Sequence, residues 1–463
     1  MMDMISHGGS PSALRDPKGE VAVVVGASTA GMLVARVLLR HFYRVLLLER
    51  DALDHGLAAR KGLRQAQHVH ALLPAGLEVL SRRFPGLLES LRRRGAVEQD
   101  IGHLNCWYAY GGLKKVTTVG VNAMTMSRPL LDHVLLQELR SEPRLELLPG
   151  HRVVGHVLDE DRRAVTGVEL AIEGAPVRVT RRADLVVDCT GRGSRVPAYL
   201  ERWGYRAPRE STVKVGITYK SRRYRAGARP VVPRRIYIHS PEAPREKVGY
   251  MFMPIEGGQW ILTLAGWHGV DPLPDDAQLS GLLASLPCSE FREVLEESEA
   301  ASEVSEYKYG HSLRRHYEEL SEFPHRLLVI GDAVASVNPV YGQGMSLSCL
   351  QADALDRVLS TTPLDGELAR RVYARIAPVI HACWTSATIE DFRYRETVGE
   401  KPFGAALVNA YLTGVHKASQ RDAVVYSEFL KVAGLLKPAT ALFAPGVVIR
   451  SVGDAVLRRC GVR

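Results

Sequence analysis

A chain of 463 residues, 46% hydrophobic and 24% charged, is long enough for two or three packed units, and no apolar run approaches the ~20 residues of a membrane-spanning helix. Six cysteines without a Cys-x-x-Cys pair, and an N-terminal stretch without an apolar signal core, argue for a reduced, cytoplasmic protein over a disulfide-stapled secreted one. The net charge of +9 lacks the interleaved aromatics of a nucleic-acid surface, so nucleic acid is not an expected partner.

Val21–Val25 is a continuous apolar run and reads as a buried parallel strand. GASTAG follows at Gly26–Gly31. A helix then places Leu33, Val34, Val37 and Leu38 at three- and four-residue spacing, and a second apolar strand, Arg44–Leu48, ends in Glu49 and Arg50. A strand, glycine turn, helix and strand closing on an acid is the layout of a dinucleotide-binding half-fold. Gly26 permits the sharp turn, Gly31 permits close packing of helix on strand, and the helix N-terminus offers N–H groups to a pyrophosphate. Ser28 stands where the usual fingerprint has its middle glycine; its small side chain still permits approach. Glu49 is placed to bond a ribose hydroxyl.

Beyond a polar loop, RKGLRQAQHVHALLPAGLEVL (Arg60–Leu80) ends in a helix and gathers Arg60, Lys61, Arg64, Gln67, His68 and His70 ahead of it. Basic groups there suit a phosphate or a ring carbonyl. The spacing of His68 and His70 invites a metal, but no convincing third ligand stands nearby, so none is expected; the pair reads equally as core or as cofactor-facing. Gly102–Gly120 reads as a hairpin, with Trp107, Tyr108 and Tyr110 lining either a pocket or the core. Ser127–Leu139 is a helix with Pro129 in its first turn, and Arg128 at its start opposes the helix dipole, which points to an anion within reach.

Arg152–Leu158, Ala164–Ile172 and Pro176–Arg181 form a small antiparallel meander, after which ADLVVDCTGRGSR (Ala183–Arg195) gives another buried strand running into a glycine turn. Thr212–Gly269 is mostly β and carries Met251, Phe252, Met253, Trp260 and Trp267, the composition of an apolar ligand floor or equally of a sheet core. RLLVIG (Arg326–Gly331) is a further strand ending in Asp332. It leads into NPVYGQGMSLSCLQADAL (Asn338–Leu355), where Gly342 and Gly344 open a helix. An acid able to hold a polyol is thus set beside a helix N-terminus able to stabilise negative charge on a reduced heterocycle. Leu364–Arg463 is mainly helical, with an amphipathic, basic tail at Val447–Arg459 expected to pack on the body.

With GASTAG…LLLER, DCTGRGSR and GDAVASVNPVYGQGM in order, nearly the whole chain resembles the FAD-dependent monooxygenases of the para-hydroxybenzoate-hydroxylase fold. Within that fold, RKGLRQAQHVHALL, SRPLLD, DCTGRGSR, PIEGGQW and NPVYGQGMS look closest to the polyether epoxidases of polyketide polyenes, such as the monensin and lasalocid epoxidases, with squalene epoxidase more distant. The resemblance implies that Gly26, Ser28 and Gly31 bind the FAD pyrophosphate and Glu49, with Arg50 beside it, the adenosine ribose. It implies that Arg128 meets the phosphate or ribityl region, that Asp332 meets the ribityl or pyrophosphate, and that Pro339, Gly342, Gln343, Gly344 and Met345 lie against the isoalloxazine. Arg60, Lys61 and Gln67 would fall near the cofactor.

The resulting expectation is a mixed α/β (α+β) protein. A discontinuous Rossmann-like FAD-binding domain covers residues 18–100, 125–205 and 305–363; a β-rich substrate-binding domain covers 101–124 and 206–304; a helical C-terminal region covers 364–463. The implied reaction is epoxidation of an apolar polyketide- or polyene-type alkene by a flavin C4a-hydroperoxide, which needs no catalytic triad or acid pair; His68, His70, Tyr108 and Trp260 are the pocket residues to watch. Phenol hydroxylation, helped by a relay through His68, His70, Tyr108 or His316, is the first alternative, and a prenyl-chain reductase or a non-oxygenating flavin scaffold are others. Halogenases of the fold need a W-x-W segment that none of the five tryptophans forms. DCTGRGSR departs from the Asp-Gly form linked to nicotinamide handling, so NAD(P)H is expected to act directly or, preferably, through a separate flavin reductase. The basic run Ser221–Arg235 is either solvated surface or a landing site for an acidic carrier protein bearing the substrate.

Overall fold

A computed structural model describes residues 17–53, 56, 64–225, 227, 235–273, 281 and 289–459. The apolar run at Val21–Val25 forms the end of strand β1 (Gly19–Val25), at the centre of a five-stranded parallel sheet. β2 (Phe42–Leu48) lies beside it, with β3 (Leu145–Leu148) at that edge; on the other side come β4 (Leu185–Asp188) and β5 (Leu327–Val329), giving the order β5-β4-β1-β2-β3. The central strands carry unbroken apolar runs because both faces are covered. Helix α1 (Thr29–Leu38), buried along its whole length, packs against α2 (Arg128–Arg140) and α3 (Gly344–Thr361), and α3 in turn against α4 (Leu368–Asp391).

The second layer is a ten-stranded sheet whose spine is Glu210–Arg225. Gln259–Gly266 pairs antiparallel on one side and Ser305–Arg315 on the other; Val248–Pro254, Ile236–His239 and Asn105–Ala109 extend it. Ser305–Arg315 therefore belongs to this sheet, whereas the sequence reading grouped residues from 305 onward with the nucleotide unit. Its first half alternates in exposure as an antiparallel strand covered on one face does, and its last four residues are all buried. The expected meander is present as His151–Leu158, Val165–Ile172 and Val179–Arg182.

The Gly102–Gly120 hairpin is shorter than expected. Asn105–Ala109 pairs with Gly112–Leu113, and Lys114–Val121 forms no strand. The amides of the segment go elsewhere: Lys115 N to the Ser419 carbonyl, Thr117 N to that of Gly102, and Val119, Gly120 and Val121 N to the Asp100 carboxylate at 2.7–3.3 Å.

The C-terminal part is helical, with Ala405–Ala418, Ala423–Ala433 and Pro445–Arg459 after α4. It grips the short hairpin: Gln420 Nε2 donates to the carbonyls of Ala109 and Tyr110, and Lys115 N to that of Ser419. The tail helix packs on Ala405–Ala418 through the buried Val447 and leaves Ile449, Val452 and Val456 exposed. No helix among the described residues is long and apolar enough to cross a membrane. Of the basic run Ser221–Arg235, residues 226 and 228–234 lie outside the described residues.

The first turn is tightly built. Gly26 has φ +98°, and a Cβ on Gly31 would stand 1.7 Å from the Gly26 carbonyl oxygen. Gly31→Ala should therefore push α1 off the turn and cost about 1–3 kcal/mol or more. Gly446→Ala, whose Cβ meets nothing within 4 Å, is the control; urea midpoints of the two variants check the difference.

Candidate active site and cofactor cleft

A cavity of about 690 Å³ opens at the carboxyl ends of β1, β2 and β4, where parallel sheets bind ligands, and runs to the wall of the large sheet. At one end Gly26, Ser28, Thr29 and Ala30 line it. Ser28 is the N-cap of α1, yet its side chain caps no amide, so the first-turn N–H groups are left for an anion. Gly31 does not line the cavity; its role is the close packing on Gly26. Glu49 and Arg50 line this end, and Glu49 Oε2 also accepts from Ala27 N at 2.8 Å, which ties the acid to the glycine turn.

In the middle, Asp188 shapes the second glycine turn by accepting from Thr190 N (2.7 Å), Thr190 Oγ1 (2.5 Å) and Ser194 Oγ (2.7 Å). The turn delivers Arg192 to the cavity, where Nη1 donates to Tyr309 Oη and Ser336 Oγ. Arg128 enters from the start of α2, held by Asp132 at 2.8 Å. Asp332, from the loop after β5, lies in the field of both arginines. Burial pushes its carboxyl above the usual range while Arg192 and Arg128 pull it down.

At the far end, Pro339, Gly342, Gly344 and Met345 face Tyr219, Tyr307, His68 and His70. Gly342 has φ +67° and its backbone lies against Ala71, so this turn and the His68–Ala71 segment meet closely. Gln343 points the other way, with Nε2 3.2 Å from Ser386 Oγ on α4, and does not line the cavity. The floor of the turn is Asp391 of α4, whose Oδ1 accepts from Asn338 Nδ2 and Tyr341 Oη, both at 2.8 Å. Burial pushes Asp391 up to about 7 against those two hydrogen bonds. Burial also lowers His68 and His70 to about 4, with Arg128 adding to the effect on His70, so both imidazoles are neutral near pH 7.

Several sequence expectations need correction. Trp260 is 1% exposed and packs with Tyr237, Phe252 and Phe291 in the core behind the large sheet. Tyr108 stacks on His239 at 5.6 Å, away from the cavity lining. Gln65 lines the cavity, while Gln67 is exposed. His316 bonds Ser211 and faces Glu318 and Glu319, outside the cleft. Arg60 and Lys61 lie outside the described residues. The sequence reading missed Arg192, Tyr219, Tyr307 and Tyr309. A signal existed for the tyrosines: Tyr307 and Tyr309 are two apart on one strand, hence on one face, and Tyr219 pairs directly with Tyr307.

These features fit a flavin dinucleotide: an uncapped helix N-terminus at one end, an acid between two arginines midway, and a glycine turn against an aromatic wall at the other end. The family described as FAD binding domain matches residues 18–367. The chain belongs to this family of flavin-dependent monooxygenases, and FAD is its cofactor. Protein Rv3254 of Mycobacterium tuberculosis H37Rv is 30% identical over 434 residues, covering 90% of this chain and 89% of its own. The 6-methylpretetramide 4-monooxygenase of Streptomyces rimosus is 25% identical over 388 residues, covering 80% and 82%. PqsL of Pseudomonas aeruginosa, described as a probable FAD-dependent monooxygenase, shares the fold with a TM-score of 0.58 at 19% identity, over 82% of this chain and 97% of its own.

Two expected outcomes follow from the geometry. Asp332→Ala should purify with far less FAD, read from the visible flavin absorbance, while its far-UV circular dichroism is unchanged. A carboxyl raised to about 7 in the folded state carries stability that is full near its unfolded value of about 4 and is lost as pH rises. Asp391→Asn keeps an acceptor for Asn338 and Tyr341. Its stability relative to the native chain should therefore improve by about 1–4 kcal/mol between about pH 4 and pH 7 and level off above, as urea midpoints across that range would show.

Proposed function

We propose that this flavin-dependent monooxygenase epoxidises an alkene of an apolar polyketide- or polyene-type substrate. The observation that carries the reading is the chemistry of the far end of the cavity. Among the described residues its wall is made of His68 and His70, lowered to about 4, and of Tyr219 and Tyr307, both raised, so each is neutral near pH 7. No residue lining that end titrates near pH 7 to serve as a base; Asp391, raised to about 7, sits beneath the turn and does not line the cavity. An alkene is nucleophilic without losing a proton and needs none, whereas a phenol is activated by deprotonation.

Bound FAD would supply activation of O₂. Overall, one oxygen atom enters the alkene, the other leaves as water, and the two electrons come from a nicotinamide nucleotide. The α1 N-terminus, Glu49, Arg128 and Asp332 would hold the cofactor, and the Pro339–Met345 turn would set its ring against the cavity. Tyr219, Tyr307 and His68 would keep water from the reacting end and hold the chain in place. No second strand–glycine–helix fingerprint appears for NAD(P)H in the sequence, which supports electron delivery by a separate flavin reductase over a dedicated nicotinamide site. The substrate is apolar and is free or carried by an acidic carrier protein.

Hydroxylation of an aromatic ring is the second reading, supported by the name of the Streptomyces rimosus relative. The discriminating experiment supplies the purified protein with FAD, a generic flavin reductase, NADPH and ¹⁸O₂, and offers it linear polyenes and polyketide phenols. One labelled oxygen in an epoxide, or in a cyclic ether derived from one, is the expected result; label in a phenolic hydroxyl would replace it with the second reading.

A further inference from the structure

The two ring nitrogens of His68 have different surroundings, and the difference fixes where its proton sits. His68 is 6% exposed and lines the cavity between the rings of Tyr219 and Tyr307, at 6.0 and 5.8 Å. Its Nδ1 lies 2.7 Å from Ser221 Oγ. Ser221 Oγ lies 2.6 Å from Thr263 Oγ1, and Thr263 Oγ1 accepts from Val69 N at 2.9 Å. Ser221 and Thr263 sit on adjacent strands of the large sheet, and both are buried. Nε2 is buried and has no partner among the described residues.

The protons along this row have one satisfying arrangement. Val69 N–H can only donate, so Thr263 accepts from it. Among the described residues the Thr263 hydroxyl has one acceptor for its own proton, Ser221 Oγ. Ser221 must then pass its proton to His68 Nδ1. The reverse order would leave the Thr263 hydroxyl proton buried and unbonded, which costs about 1–3 kcal/mol. Nδ1 is thus an acceptor, and the proton of the neutral ring is on Nε2.

His70 is set the opposite way. Its Nδ1 lies 3.0 Å from the His68 carbonyl oxygen, which can only accept, so Nδ1 carries the proton and Nε2 a lone pair. Within three residues the chain presents one imidazole that donates through Nε2 and one that accepts through Nε2.

We propose that His68 is a substrate-binding residue whose Nε2–H donates a hydrogen bond to an acceptor oxygen, such as a ketone or ester carbonyl, on an otherwise apolar alkene chain. The row that fixes its proton comes from the large sheet, so the donor is built from the wall opposite the cofactor's glycine turns. This rests on the alkene reading above and adds a requirement to it: the chain carries an oxygen at a fixed place, and that oxygen sets which double bond is presented. A buried donor without an acceptor discriminates strongly against a ligand that lacks one.

The test uses the holoenzyme. Two-bond ¹H–¹⁵N correlation spectra of histidine-labelled protein, with the His68 signals assigned by their loss in His68→Phe, should show the Nε2–H tautomer at pH 7. Thr263→Val removes the donor to Ser221 and should shift that signal toward a mixture of tautomers. In binding measurements a long-chain polyenyl methyl ketone should lose about 10–100-fold in affinity in His68→Phe, while the polyene hydrocarbon of the same length and FAD itself change by less than about twofold. An Nδ1–H tautomer in the native protein, equal losses for ketone and hydrocarbon, or a matching loss of FAD affinity would each overturn the proposal. Oxygen label in a phenol would overturn the alkene reading and leave the ketone–hydrocarbon comparison standing, so the two failures are read separately.

Discussion

The 2.8 Å bond from the Ala27 amide to the Glu49 carboxylate ties the first glycine turn to the end of the neighbouring strand. It is one of a row. Three strands of the parallel sheet end in or beside an acid at the same edge: Glu49 after β2, Asp188 at the end of β4, and Asp332 after β5. Glu49 and Asp188 spend oxygens on amides and hydroxyls of the turns, which would otherwise have to compete with a ligand for shape. Asp332 makes no such bond to its own turn and is instead balanced by Arg128 and Arg192. All three acids line the cleft; Glu49 and Asp188 also hold the scaffold, and Asp332 does not.

The second constraint is electrostatic neutrality at the far end. The charged groups cluster from Glu49 to Asp332, where a phosphate-bearing cofactor can answer them, and the wall beyond is aromatic and uncharged. Burial is the largest cause of each shift, with Arg128 adding to it at His70. The same desolvation that lowers His68 and His70 raises the tyrosines, so each of these groups is held in its uncharged form.

What was legible in the sequence was local. The five-residue apolar run, GASTAG and the closing acid gave β1, α1 and β2 because strand and helix periods and turn chemistry act over a few residues. Asp332 and the glycine pair after it were readable for the same reason. The misreadings concern which element meets which. Trp260 and Tyr108 have the composition of pocket residues, but the helix Ser289–Glu296 and the His239 ring cover them, and both lie far away in sequence. Gln67 and Gln65 differ only in the direction that a single 3₁₀ turn gives them. Lys114–Val121 has strand-forming residues, yet its amides go to the Asp100 carboxylate and to the carbonyls of Gly102 and Ser419 in place of a strand partner. The roles of His68 and His70 depend on Ser221, Thr263 and a carbonyl, so no local pattern encodes which nitrogen carries the proton.

The floor under the Asn338–Gly344 turn is Asp391, and Gln343 is held by Ser386; both belong to α4, beyond residue 367 where the match to the FAD-binding family ends. The most recognisable motif of the cofactor site is therefore not portable. Its shape depends on a helix beyond the matched residues, and grafting residues 18–367 onto a different C-terminal part would carry the glycines across without the acid beneath them. A change at Asp391 or Ser386 would shift the turn while every glycine of the motif stays unchanged.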